Sequence, residues 1–191
     1  MLPEQIAVVM RVADALEALD VPYALGGSFA SALHGVMRAT MDADMVADLR
    51  LEHAEPLAQA LGSAFYAEPE MMRNAIRKHR SFNLIHLDTM FKVDVFIAQP
   101  RDFDRAQLAR RQLYLLSEDP ELHAYVASAE DIVLAKLEPY RRGGEVSDRQ
   151  WRDVLGVLKV QGERLDRDYV HRMAVGLGVE DLLSSAFEAA A

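Results

Sequence analysis

Between residues 4 and 20, apolar side chains return at spacings of three and four: Ile6, Val9, Met10, Ala13, Leu16 and Leu19. That periodicity predicts an amphipathic helix begun just after Pro3, where a missing N–H costs nothing. Val21 to Leu25 reads as a short buried strand running into Gly26-Gly27-Ser28, and Phe29 to His34 resumes as a helix stopped by Gly35. A second strand is expected from Arg38 to Leu49, with Met45 and Val46 as its apolar residues. A helix from Glu52 to Leu61 and a short strand at Ala64 to Tyr66 follow. The runs Phe82 to Leu87 and Phe91 to Ile97 read as strands, joined by a linker short enough for a hairpin. In the second run Val93, Val95 and Ile97 fall on one face and Lys92, Asp94 and Phe96 on the other.

Beyond Pro100 the pattern is expected to be mostly helical. Ser128 is a capping candidate for a helix through Leu137, with Glu130 and Asp131 in its first turn. Ser147 to Val160, Asp166 to Leu177 and a last stretch from about Glu180 read as further helices. The order predicts an α+β fold: a small mixed β-sheet flanked by helices, with a C-terminal helical extension. We expect a core over residues 1–115 and a helical subdomain over 116–191.

Composition narrows the function classes. Half of the 191 residues are hydrophobic (51%) and 27% are charged, which is globular rather than disordered composition. No apolar run approaches the ~18–20 residues that span a bilayer, and Met1 to Gln5 lacks the basic region of a secretory signal. With no cysteine, disulfides, thiolate metal sites and cysteine nucleophiles are absent. A cytoplasmic protein with no membrane partner is the expectation. A net charge of −9 argues against a surface basic throughout, and leaves room for a small site built from acids.

Two local patterns carry candidate chemistry. A strand ending in Gly26-Gly27-Ser28 and feeding a helix offers backbone N–H groups to a phosphate, with Ser28 adding a hydroxyl; alone, the same tripeptide also suits a plain tight turn. Asp42 and Asp44, two apart on a predicted strand, point to one face. Carboxylates held that close repel, and a cation such as Mg²⁺ or Mn²⁺ would offset them; an isolated Asp-X-Asp also suits a solvated edge strand. Asp94, within an apolar strand, needs either a salt-bridge partner such as Lys92 or a functional reason. Three acids on neighbouring strands suit metal-assisted phosphoryl transfer.

Leu25-Gly26-Gly27-Ser28, then thirteen residues, then Asp42-Ala43-Asp44 and a later Asp94 resembles the nucleotidyltransferase superfamily of polymerase-beta-like minimal fold. Several segments look most like the branch of AbiEii-type toxins and related small transferases. They are His34-Gly35 with Arg38-X-Thr40-X-Asp42-X-Asp44, the strands around Phe82 to Asp94, Ser128 to Leu137, and Asp148 to Asp153. The match covers roughly residues 20–160; Ala43 is smaller than the residue usual between the two aspartates.

The resemblance implies a metal-dependent transferase moving a nucleoside monophosphate from an NTP to an acceptor hydroxyl of tRNA, protein or a small molecule. On it, Gly26, Gly27, Ser28, Arg38, Thr40, Lys136 and Asp153 bind the nucleotide. Asp42, Asp44 and Asp94 are the catalytic acids and hold Mg²⁺ or Mn²⁺, with Asp94 orienting or deprotonating the acceptor. A second reading is a catalytically silent binding module paired with a cognate protein in a toxin–antitoxin or defence system; a third is a structural protein whose acids are surface residues.

From the residues alone, Lys136 equally suits a solvated helix face, and Arg149, Arg152 and Asp153 suit surface pairs. Arg38 either reaches a phosphate or neutralises the aspartates. Trp151 reads as a core anchor, and His34, His79 and His86 as structural. One basic run, Arg73, Arg77, Lys78, His79 and Arg80, falls on or just after a predicted helix. It suits either a solvated face or the border of a cleft that receives a polyanion such as RNA.

Overall fold

The structure, a computed structural model, describes residues 3–34 and 42–190. The N-terminal helix α1 spans Pro3–Glu17, and strand β1 (Tyr23–Gly26) runs directly into helix α2 (Gly27–His34). Strand β2 (Asp42–Ala47) follows; residues 35–41, with the expected positions of Gly35, Arg38 and Thr40, lie outside the described residues. Helix α3 (Ala54–Leu61), the two-residue strand β3 (Phe65–Tyr66) and helix α4 (Pro69–Arg77) lead to the antiparallel strands β4 (Ser81–His86) and β5 (Lys92–Ile97).

After helix α5 (Asp102–Arg110) the structure departs from the expected helical pattern. Strands β6 (Gln112–Glu118) and β7 (Glu121–Val126) form an antiparallel hairpin with a register shift between Leu115 and Ser117. The division expected between residues 115 and 116 falls within β6. Helices α6 (Ala129–Arg142), α7 (Asp148–Gln161), α8 (Arg167–Leu177) and α9 (Glu180–Ala190) complete the chain. Each of the first three opens on a side-chain cap: Ser128 Oγ accepts from Asp131 N (3.2 Å), Ser147 Oγ from Gln150 N (3.4 Å) and Asp166 Oδ1 from Tyr169 N (3.0 Å).

All seven strands join one mixed sheet in the order β3-β4-β5-β2-β1-β7-β6. β2 runs parallel to β5, and β1 parallel to β7. Period-two alternation then sorts the side chains into rows. On one face Ala43, Val93 and Leu84 lie side by side, as do Met45, Val95 and Phe82, all buried. The opposite face carries the rows Asp42–Lys92–Ile85, Asp44–Asp94–Asn83 and Val46–Phe96–Ser81. Because a one-residue slip would exchange the two sets, the apolar rows also fix the register of the acids. Helix α2 packs on β1 and β2 and against α6 and α7, which brings the C-terminal helices to that end of the sheet.

Candidate active site

The β1–α2 junction approaches the acids through glycine. Gly26 is the cross-strand partner of Asp44. Gly27 adopts φ +58°, and a Cβ built on it would lie 1.6 Å from Asp44 Oδ2. No L-residue with a side chain fits there without displacing the carboxylate or the backbone. Gly27 also starts α2, so its neighbours present N–H groups at the positive end of that helix, beside Asp44. Ser28 Oγ accepts from Arg149 Nη2 of α7 at 3.1 Å, a tie the sequence alone suggests only as a surface arginine.

Asp44 and Asp94 are direct partners on parallel strands, and Asp42 lies one pleat away on the same face. Burial pushes the Asp44 carboxyl up to about 6, and the charges of Asp42 and Asp94 push in the same direction; Lys136 and Lys92 act against them. Lys92 Nζ lies 2.7 Å from Asp94 Oδ2. The alternation of β5 already places Lys92 on the acid face, so this partner was readable from the spacing.

Lys136 of α6 and Asp153 of α7 meet at 2.9 Å, with side chains only 10% and 17% exposed. That excludes the solvated-face alternative for Lys136. The helical pair faces the acids closely enough for Lys136 to favour the ionised form of Asp44. The structure therefore brings together Gly26, Gly27, Ser28, Asp42, Asp44, Asp94, Lys136 and Asp153 around one end of the sheet; Arg38 and Thr40 fall outside the described residues.

Trp151 is partly buried and stacks on Tyr140, ring centroids 5.4 Å apart. Two of the three histidines are structural: His34 is buried and bonds Ala127 O at 3.0 Å, and His86 is buried beside Thr89. His79 is instead exposed, with φ +46°. Sequence reasoning missed a second polar network. Asp131, fully buried, accepts from Ser128 Oγ (2.8 Å) and Tyr169 Oη (2.5 Å), and burial raises its carboxyl to about 6. An aspartate in the first turn after a serine cap was the only local signal for it.

Among the described residues, no three His, Asp or Glu side chains already stand as a metal-holding group; the cation on Asp94 is the Lys92 ammonium. The donor set nonetheless fits a divalent cation by its chemistry. Its oxygens are hard carboxylate ligands, and burial, with repulsion from Asp42 and Asp94 added to it, disfavours the ionised form of Asp44 until a cation offsets it. No helix among the described residues is long and apolar enough to cross a membrane.

Neither a protein-family model nor a curated protein sequence matches the chain. Solved structures do match its fold. The antibiotic-resistance factor ANT(2'')-Ia is similar over 99% of this chain and 96% of its own, with a TM-score of 0.57 and 15% identity. An antigenic nucleotidyltransferase-like protein from Paracoccidioides brasiliensis covers 97% of this chain and 93% of its own (TM-score 0.52, 18% identity). The lincosamide antibiotic adenylyltransferase LnuA, lincomycin-bound, covers 84% and 98% (TM-score 0.51, 14% identity). The chain has the nucleotidyltransferase fold.

Proposed function

We propose that the protein moves a nucleoside monophosphate from an NTP to an acceptor hydroxyl. The observation that carries this reading is the register of Asp44 against Asp94, with the Gly27 backbone pressed against Asp44. In the reaction the acceptor oxygen bonds to the α-phosphorus and the bond from that phosphorus to the bridging oxygen breaks. Pyrophosphate leaves, and the hydroxyl proton passes to a carboxylate and on to solvent.

Gly26, Gly27 and Ser28 hold the triphosphate through N–H and hydroxyl donors. Lys136, kept in place by Asp153, adds positive charge beside the phosphates. Asp94, tethered by Lys92, orients the acceptor hydroxyl. Mg²⁺ or Mn²⁺ held by Asp42, Asp44 and Asp94 would supply charge neutralisation for the triphosphate and the leaving group. The resemblance in Ser128 to Leu137 and Asp148 to Asp153 supports placing the chain in the AbiEii-type branch.

The Lys92–Asp94 ion pair is the one observation that favours a module which binds nucleotide without turnover, since it engages one of the acids. Incubation with α-labelled NTPs, Mg²⁺ and candidate acceptors separates the two. Transfer that disappears in Asp42→Ala/Asp44→Ala supports the enzyme; nucleotide binding with no transfer to any acceptor supports the silent module.

A further inference from the structure

We propose that a second copy of this chain joins the sheet along the outer edge of β6, antiparallel and about a two-fold axis at Tyr114. This interface goes beyond the transferase reading and does not rest on it, since β6 carries none of the site residues. β6 ends the strand order, so the backbone N–H and C=O groups on its outer side have no ladder partner among the described strands. Pairing with β7 sorts its side chains. Leu113, Leu115 and Glu118 stand opposite Tyr125, His123 and Glu121, alternate residues of β7 that share one face. On that face Leu113 and Leu115 are 57% and 46% exposed, and Glu118 is exposed as well. Arg111 belongs to the same face, since its guanidinium carbon lies 4.6 Å from the centroid of the Tyr125 ring.

The row Arg111, Leu113, Leu115 and Glu118 complements itself when reversed. A two-fold axis at Tyr114 sets Leu113 opposite Leu115 of the second copy, and Leu115 opposite its Leu113. Strict alternation would then put Arg111 against Ser117. The bulge at Leu116, unmatched between the pairs Leu115–His123 and Ser117–Leu122, shifts the following residues by one and turns Glu118 to the face of Arg111. Each Arg111 therefore meets Glu118 of the other copy, one pair at either end of the leucines. Both side chains are open to that bond. Neither is in an ion pair among the described residues, whereas the adjacent Arg110 is held by Glu130 and Asp166. An unrelated extended peptide has to reproduce this order of charged and apolar groups; a second copy carries it by symmetry.

Sedimentation equilibrium of the full chain across about a hundredfold dilution tests the proposal. The wild type is expected to fall from twice the chain mass to once. Leu113→Lys/Leu115→Lys should stay at the single mass throughout and melt as the diluted wild type does, because both side chains are solvent-exposed. Arg111→Glu and Glu118→Arg should each raise the dimer Kd about tenfold, and the two together in one chain should restore it. The chain has no cysteine, so introduced ones report the register. A mixture of Leu113→Cys and Leu115→Cys chains should cross-link on mild oxidation. Either variant alone should not, because its own pair lies on a diagonal of about 7–8 Å. A single mass at every concentration, a dimer that survives Leu113→Lys/Leu115→Lys, or equal cross-linking by either cysteine variant alone overturns the proposal. So does a charge-swapped double variant weaker than both single ones. A monomer that binds an extended peptide of another sequence along β6 overturns the second copy as its occupant.

Discussion

Gly27 is where local backbone freedom and site chemistry meet most tightly. Its left-handed φ and the 1.6 Å approach of any added Cβ to Asp44 Oδ2 mean that even a methyl group must move the carboxylate. Gly27→Ala is therefore expected to lower transfer at least about a hundredfold, the scale of loss when reacting groups shift by an ångström, while the strand core of Leu25, Met45 and Val95 keeps the protein folded. Steady-state kinetics and a thermal melt on the same preparation check both halves; full activity would detach the turn from the site. At this scale the acids were legible in the sequence. Alternation alone placed Asp42 with Asp44, and Lys92 with Asp94. That Asp44 and Asp94, 50 positions apart in the chain, become direct neighbours depended on a parallel pairing of β2 with β5, which no local pattern reports.

At the scale of elements, α6 and α7 act as the roof of the site. β7 pairs parallel to β1 through Leu25 and Val126, Ala127 N donates to Leu25 O at 2.9 Å, and the chain then enters α6 at the Ser128 cap. That short route aims Lys136 at Asp44, and Asp153 from α7 holds it. Lys136→Met removes this cation from Asp153 in a largely buried setting. It should destabilise the protein by about 2 kcal/mol, the scale of a charged hydrogen bond, and raise the KM for NTP. Urea denaturation and initial rates measure the two effects; an unchanged KM would place Lys136 in a purely structural role. The hairpin that makes this route was not legible. Leu113, Tyr114, Leu115 and Leu116 are consecutive, so β6 shows no alternation and reads as a continuation of the helix before it. β6 is an edge strand whose Leu113 and Leu115 stay exposed while Tyr114 and Leu116 are partly buried, so its open side is as apolar as its covered side and the alternation does not show in the residue types.

Across the whole molecule, the acidic total divides into groups held in different ways. Asp44 and Asp131 lie at separate places, each raised to about 6 by burial. A carboxyl whose folded value exceeds its unfolded value of 3.8 stabilises the fold fully below the unfolded value, and this stability is lost as pH rises through about 6. For Asp131 the contribution gained between about pH 8 and pH 5 is on the order of 1 kcal/mol. Asp131→Asn should therefore show a smaller stability gain on acidification than the wild type by that amount, read from urea midpoints at the two pH values. An identical pH dependence would contradict the burial argument. The fold shared with ANT(2'')-Ia extends over nearly the full length of both chains. The sheet and its helical roof thus belong to one architecture.

The central claim is that this architecture transfers a nucleoside monophosphate, and the most direct measurement follows the α-phosphate. With α-labelled NTP, Mg²⁺ and an acceptor pool containing RNA and small alcohols, the wild type is predicted to move label into acceptor and release pyrophosphate. Asp42→Ala/Asp44→Ala, folded by thermal melt, is predicted to move none. Label transfer by that double variant at the wild-type rate, or none by the wild type with any NTP and acceptor, would contradict the account.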